Sequence, residues 1–361
     1  MGVRRNALAA GLLSLAAVGS FGPTLWSAFA ADDFLLRYAS LHSSFTRLFT
    51  SDPLAFAGGG NFYRPIWFAF DDLIGQVSAH PALFHAANVL VYVVVVLEVW
   101  LLLRLLVAPV PAAAALLFAA YPRHSETVAW VAGSSDLLAA LFGLAALLVA
   151  LQKWHRLGRL VVVAVLAGVA AGSKESAFVL VPLFVIVHVG LGRSLTARSA
   201  WRGREPMRAV WEPAGAMIVG QLAALALRFD VLHKLGGYPG HPWTPWRMLV
   251  AAASDVAAAA SAPQLPLLRD LALLTVPAVV WVLVLALGAR TAVARPERRR
   301  LMAVGVAFAV VPLLPTLNVV INLDTSVGER SSSGRPGRRR TSGTRAGAPG
   351  STSCSAGRPT G

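Results

Sequence analysis

Between residues 83 and 107 the chain carries two charges in twenty-five positions. A run that long and that apolar matches the ~20 residues an α-helix needs to cross the hydrocarbon core of a bilayer. Inside lipid every backbone N–H and C=O must be satisfied within the protein, which leaves helices and closed barrels as the spanning structures. The rest of the chain repeats the pattern. Arg4 and Arg5 precede an apolar stretch that reaches Ala30, and further stretches fall at 109–121, 137–151, 160–171, 177–191, 212–227, 271–287 and 301–317. Charged residues make up only 14% of the sequence, against about a quarter in soluble domains. The expected fold is therefore all-α, a polytopic transmembrane bundle of about nine spans with external juxtamembrane helices. The 109–121 stretch crosses only where the bilayer is thin or the helix tilted. The alanine-rich 248–262 stretch reads either as a half-membrane helix or as an additional span.

The arginines set the expected orientation. Arg4 and Arg5, Arg104, the 153–159 loop, Arg193 to Arg208 and Arg290 to Arg300 all fall on one side of a nine-crossing chain. Short cytoplasmic loops carry such an excess of Lys and Arg, so the N-terminus is expected in the cytoplasm and Asp32 on the far side of the cell (inner) membrane. The net charge of +15 is accounted for in this way and does not point to nucleic acid. Ala28-Phe29-Ala30 has the small-residue pattern of a signal-peptidase site, but the apolar run before it exceeds a usual signal core, so an uncleaved first helix is expected. The one cysteine, Cys354, rules out an internal disulfide and a cysteine zinc site.

From Ser331 the composition changes to Gly, Ser, Arg, Thr and Pro, with almost no apolar residue and no acid. Such a segment cannot bury a core. The expected division is a membrane part over 1–330 and a disordered basic tail over 331–361. The break follows Glu329-Arg330 abruptly, and Arg/Gly/Pro/Ser text of this kind is what a frameshift yields in a GC-rich gene.

Acids are scarce here, 17 Asp and Glu against 32 Lys and Arg. Ionisable residues beside a bilayer are costly and tend to be functional. The residues expected outside the membrane form one set: Asp32 and Asp33, Arg64, Asp71 and Asp72, His124, Glu126, Asp136, Lys174, Glu175, Glu329 and Arg330. They come from several loops yet belong to one end of a helix bundle, and convergent titratable groups at such a boundary suggest a site. The eight histidines show no HExxH spacing, and there is no P-loop. A carboxylate suits the deprotonation of a hydroxyl acceptor, and Arg and Lys suit the neutralisation of a phosphate leaving group. Together these describe sugar transfer from a lipid-linked phosphate donor.

The loop from Pro122 through His124, Glu126 and Val128 to Gly133 and Asp136 resembles the Pro-x-His-x-Glu-x-Val loop of the transmembrane and tetratricopeptide-repeat O-mannosyltransferases and their bacterial relatives, members of the GT-C superfamily. Further matches follow in order: Asp32-Asp33, Tyr63-Arg64-Pro65, Phe84-His85-x-x-Asn88, Ser173-Lys174-Glu175-Ser176, Leu314-Pro315-x-x-Asn318 and Glu329-Arg330. The resemblance implies an inverting membrane glycosyltransferase with a polyprenyl-phosphate sugar donor and a protein or glycan hydroxyl acceptor. It puts the general base on Asp32 or Asp33, the donor phosphate on Arg64, Lys174 and Arg330, and the shaping of the site on His124, Glu126, Asp136, Glu175 and Glu329. A divalent cation, Mg or Mn, serves some members of the superfamily and not others. Ser134 departs from the pattern, which usually has Arg there. The alternatives are a lipid-linked sugar binding or transport protein without catalysis, and an inactive truncated product.

Overall fold

The computed structural model describes residues 2–55, 62–106, 111–121, 124–152, 154–195 and 205–233. Among them every regular element is helical. The α-helices are α1 (Gly2–Phe21), α2 (Asp32–Leu41), α3 (Arg47–Thr50), α4 (Pro65–Val77), α5 (Pro81–Leu106), α6 (Pro111–Ala119), α7 (Ser125–Val128), α8 (Ser134–Ala150), α9 (Arg156–Ser173), α10 (Leu180–Leu195) and α11 (Glu205–Leu232). Short 3-10 turns occupy Gly22–Trp26, Val131–Gly133 and Glu175–Val179.

Proline starts several of these elements, as expected of a residue with no N–H to satisfy in the first helical turn. Pro65, Pro81 and Pro111 open α4, α5 and α6. Five helical segments are long and apolar enough to cross a membrane: Arg4–Trp26, Pro81–Leu105, Val131–Ala150, Arg156–Ser173 and Arg208–Leu232. Many of their large apolar side chains point outward, among them Leu8, Leu12, Leu90, Val161 and Val219. A water-soluble bundle would turn these inward.

Of the seven crossings expected before residue 233, five have a segment of this kind. The 177–191 stretch becomes α10, with a shorter apolar helix over Glu175–His188. The 109–121 stretch becomes α6, whose nine residues rise only about 14 Å. The crossings expected at 271–287 and 301–317, the 248–262 segment, the boundary at 330 and the tail all lie outside the described residues.

Ion pairs fix the relative direction of the long helices. Lys174, just past the end of α9, pairs with Asp136 in the first turn of α8, so these helices run antiparallel. Arg228 near the end of α11 pairs with Glu175, and Arg156 at the start of α9 pairs with Glu212 near the start of α11. Hence α9 and α11 run parallel. Their approach is close because it is made by small residues, as in tightly packed membrane helices. A Cβ on Gly168 would stand 2.9 Å from the Gly220 carbonyl oxygen, and one on Gly220 would overlap the Ala164 carbonyl. Below this contact Val163, Ala167, Phe184, Ala214 and Met217 close the interior with Ala146 and Leu147 of α8.

A second core joins α1, α5 and α6 through Ala17, Phe21, Tyr92, Val96, Ala115 and Ala119. The break between α6 and α8 would leave carbonyls without partners, and α5 supplies donors to them. The Tyr92 hydroxyl lies 2.9 Å from the Phe118 carbonyl and 3.1 Å from that of Ala119. Asn88 Nδ2 donates to the carbonyls of Val128 and Trp130 at 3.3 and 3.2 Å.

Candidate functional site

Apart from Glu98, half-buried within α5, most described charged side chains of the long helices and their connections fall into two groups at opposite ends. Arg4, Arg5, Arg104, Arg156, Arg159 and Arg208 mark one end. Asp32, Asp33, Arg64, Asp136, Lys174, Glu175 and Arg228 mark the other, which holds the candidate site.

The sequence pair Asp32-Asp33 separates into two environments. Asp32 is the exposed first residue of α2. Asp33 is 1% exposed, and both its oxygens accept backbone N–H donors, Oδ2 from Ala30 at 2.9 Å and Oδ1 from Ala132 at 2.7 Å. Burial pushes the Asp33 carboxyl up from its ordinary value, while the Ala30 and Ala132 N–H groups and nearby His85 act in the other direction. Asp33 is thus a cross-link between the start of α2 and the turn that leads into α8. It also closes a strained backbone, because Ala31 has φ 48° and ψ −118°, a region suited to glycine. Ala31→Gly is expected to raise the unfolding free energy by about 1 kcal/mol by relieving that strain. Thermal unfolding in detergent measures it, and a lower midpoint would show that the turn carries no strain.

Arg64 precedes Pro65 and has φ −134° and ψ 64°, outside the α region that a following proline disfavours. Its guanidinium lies over the rings of Phe62 and Trp67, 4.7 and 5.7 Å from their centroids. Nε and Nη2 both donate to Glu175 Oε2, at 3.0 and 2.7 Å. Arg228 Nη1 donates to the other oxygen, Oε1, at 2.7 Å. Burial alone would push the Glu175 carboxyl up, but Arg64 and Arg228 outweigh it and hold it at about 2. Lys174, the neighbour of Glu175, donates to Asp136. Arg64, Arg228 and Lys174 thereby meet Glu175 and Asp136 at the α9 end.

Of the residues expected in the site, the structure brings together Arg64, Lys174, Glu175 and Asp136. Asp33 reaches the same region through Ala132, four residues before Asp136. His124 sits apart from the ion pairs in an aromatic setting, with Nδ1 2.7 Å from the Tyr92 hydroxyl and its ring 4.5 Å from that of Phe118. Glu126 lies on α7, with its side chain outside the described part. Glu329 and Arg330 also lie outside the described residues. Ser134 is buried and its hydroxyl accepts from Trp67 Nε1 at 2.9 Å, so it ties α4 to α8. Asp71 is buried against Arg37 at 2.7 Å, while Asp72 accepts from Gln76 at the surface.

Sequence reasoning missed Arg228 and Arg37. Arg228 falls just past the apolar 212–227 stretch, but α11 stays helical to Leu232. Arg37 carried a usable signal: one cation within an apolar stretch after Asp32-Asp33, and an acid pair, Asp71-Asp72, within another. Gly75 lets the pair form, since a Cβ there would stand 2.5 Å from Arg37 Nη1.

Among the described residues no group of three His, Cys, Asp or Glu side chains converges as metal ligands. Compared with protein-family models, curated proteins and solved structures, the chain gives no match. The likeness to the GT-C enzymes rests on the motifs quoted above.

Proposed function

We propose that this chain is a GT-C-type membrane glycosyltransferase that moves a sugar from a polyprenyl-phosphate donor to a hydroxyl of a protein or glycan acceptor on the extracytoplasmic face. The observation that carries the proposal is the gathering of Arg64, Arg228 and Lys174 with Glu175 and Asp136 at the helix end that also exposes Asp32. Guanidinium and ammonium donors gathered in this way suit a phosphate oxygen. Asp32 takes the proton of the acceptor hydroxyl, and the acceptor oxygen forms its bond to the anomeric carbon. The bond from that carbon to the phosphate oxygen breaks, and the polyprenyl phosphate leaves against Lys174 and Arg64. Attack opposite the leaving group inverts the anomeric centre. Asp33 positions Asp32 by holding the start of α2 to Ala132, and Glu175 keeps Arg64 and Arg228 aimed at one place. The arginine-marked end faces the cytoplasm in this reading.

The interruption after α6 favours a second reading, a lipid-linked sugar carrier, since transporters use broken helices near the membrane midplane. One assay separates the two. The full chain in proteoliposomes receives polyprenyl-phosphate sugars and a hydroxyl-bearing acceptor. Transfer yields glycosylated acceptor and free polyprenyl phosphate in equal amounts, and Lys174→Gln lowers the yield. Movement of intact donor between leaflets with no acceptor product would replace the enzyme by the carrier.

A further inference from the structure

The arginine-marked end carries a feature that sugar transfer does not use. Along the outer side of the bundle, α1 and α6 enclose a groove of about 330 Å³. Ala9, Ala112 and Ala113 keep its floor shallow, Leu8, Leu12 and Leu116 form its walls, and Arg5 is the polar residue that lines it. The groove arises because α6 approaches α1 through alanines, with side chains too small to fill the space between the leucines. Leu8 and Leu12 are exposed, so the groove opens sideways. Arg5 is exposed as well, and Arg4 lies beside it in sequence.

We infer that this groove binds an anionic glycerophospholipid drawn from the surrounding bilayer, with an acyl chain along the α1–α6 trough and the headgroup phosphate on Arg5. Three observations support one occupant over others. The lining is apolar along its length and cationic at one end, which is the charge pattern of an anionic lipid reversed. Both walls belong to helices whose outward faces are apolar, so acyl chains are the neighbouring material. The cation stands at the end where positively charged residues gather, and anionic headgroups attract such residues by about 1 kcal/mol each. The inference rests on the membrane placement of α1 but not on the transfer chemistry, and it concerns the end opposite the candidate site.

The test uses the full chain in a non-ionic detergent, with phosphatidylglycerol and phosphatidylcholine of the same acyl chains, read by native mass spectrometry and by thermal shift. Phosphatidylglycerol is expected to remain bound and to raise the unfolding midpoint more than phosphatidylcholine does. Arg5→Gln, at an exposed position, is expected to weaken the phosphatidylglycerol binding about fivefold, and Arg5→Lys to restore most of it. Ala113→Leu fills the trough and is expected to reduce binding of both lipids. Equal binding of the two lipids by the unaltered chain, or an unchanged preference in Arg5→Gln, would overturn the inference. So would undiminished binding in a folded Ala113→Leu variant. Soluble glycerol phosphate raising the midpoint as phosphatidylglycerol does would also overturn it, because the acyl chain would then be dispensable. None of these outcomes touches the transfer assay, so the two readings fail separately.

Discussion

Asp32→Asn is expected to lower sugar transfer by roughly 10²–10⁴-fold, the usual contribution of a positioned general base, and to leave the unfolding midpoint near that of the parent. The exposed carboxylate of Asp32 makes no contact that the fold needs, so its replacement removes basicity and little else. Asp33→Asn is expected to behave in the opposite way. An amide supplies one acceptor where the carboxylate supplies two, so either the Ala30 or the Ala132 N–H loses its partner in a buried place. That loss costs about 1–3 kcal/mol and appears in unfolding before it appears in turnover. Initial rates at saturating donor and acceptor, taken with unfolding curves for both variants, separate the roles. If Asp32→Asn transfers sugar as fast as the parent, Asp32 is not the base. If Asp33→Asn is as stable as the parent, the cross-link is unimportant.

Glu175→Gln is expected to be the most destabilising conservative change in the described part of the site. The folded carboxyl lies at about 2, below its ordinary 4.5. A lowered folded value contributes stability that is present above about 4.5 and is lost as pH falls towards 2. The difference corresponds to about 3 kcal/mol at pH 7. Removing the anion also takes from Arg64 and Arg228 the carboxylate they share, the costly way to break a buried pair. Unfolding of the parent and of Glu175→Gln at pH 7, 4.5 and 3 tests this directly. The gap between them should be widest at pH 7 and should shrink between 4.5 and 2. A gap that does not change with pH would assign the loss to packing and not to charge.

Helix positions were legible because each long span writes its length directly into an apolar run. The all-helical fold and the placement of most described long helices follow from that. The gathering of the described polar residues at one end was legible too, since alternate loops of an up-and-down bundle must share a side. Partners were not. Asp33 meets Ala132 across 99 residues, and a backbone N–H leaves no mark in a sequence. Nothing in the local text told Asp32 from Asp33, because their difference is which one faces α8 after α2 has turned on Ala31. Arg228 escaped because helical continuation past a charged residue depends on what waits there, in this case Glu175 in the turn after α9. Ser134, where the related loops carry arginine, could be read only as a departure. Its role as acceptor for Trp67 depends on α4, which is nowhere near it in sequence.

The glycine contact between α9 and α11 has a mechanical side. Gly220 lies eight residues from Glu212 and eight from Arg228, about 12 Å along the axis in each direction. The two parallel helices are therefore held like a balance beam, with Gly168 and Gly220 as the fulcrum and an ion pair pinning each arm. A tilt of about 10° about that fulcrum would carry each arm tip roughly 2 Å, comparable with the whole length of the 2.7 Å contacts there. A displacement that parted Arg228 from Glu175 would by this geometry also load the Arg156–Glu212 pair at the other end of the same two helices.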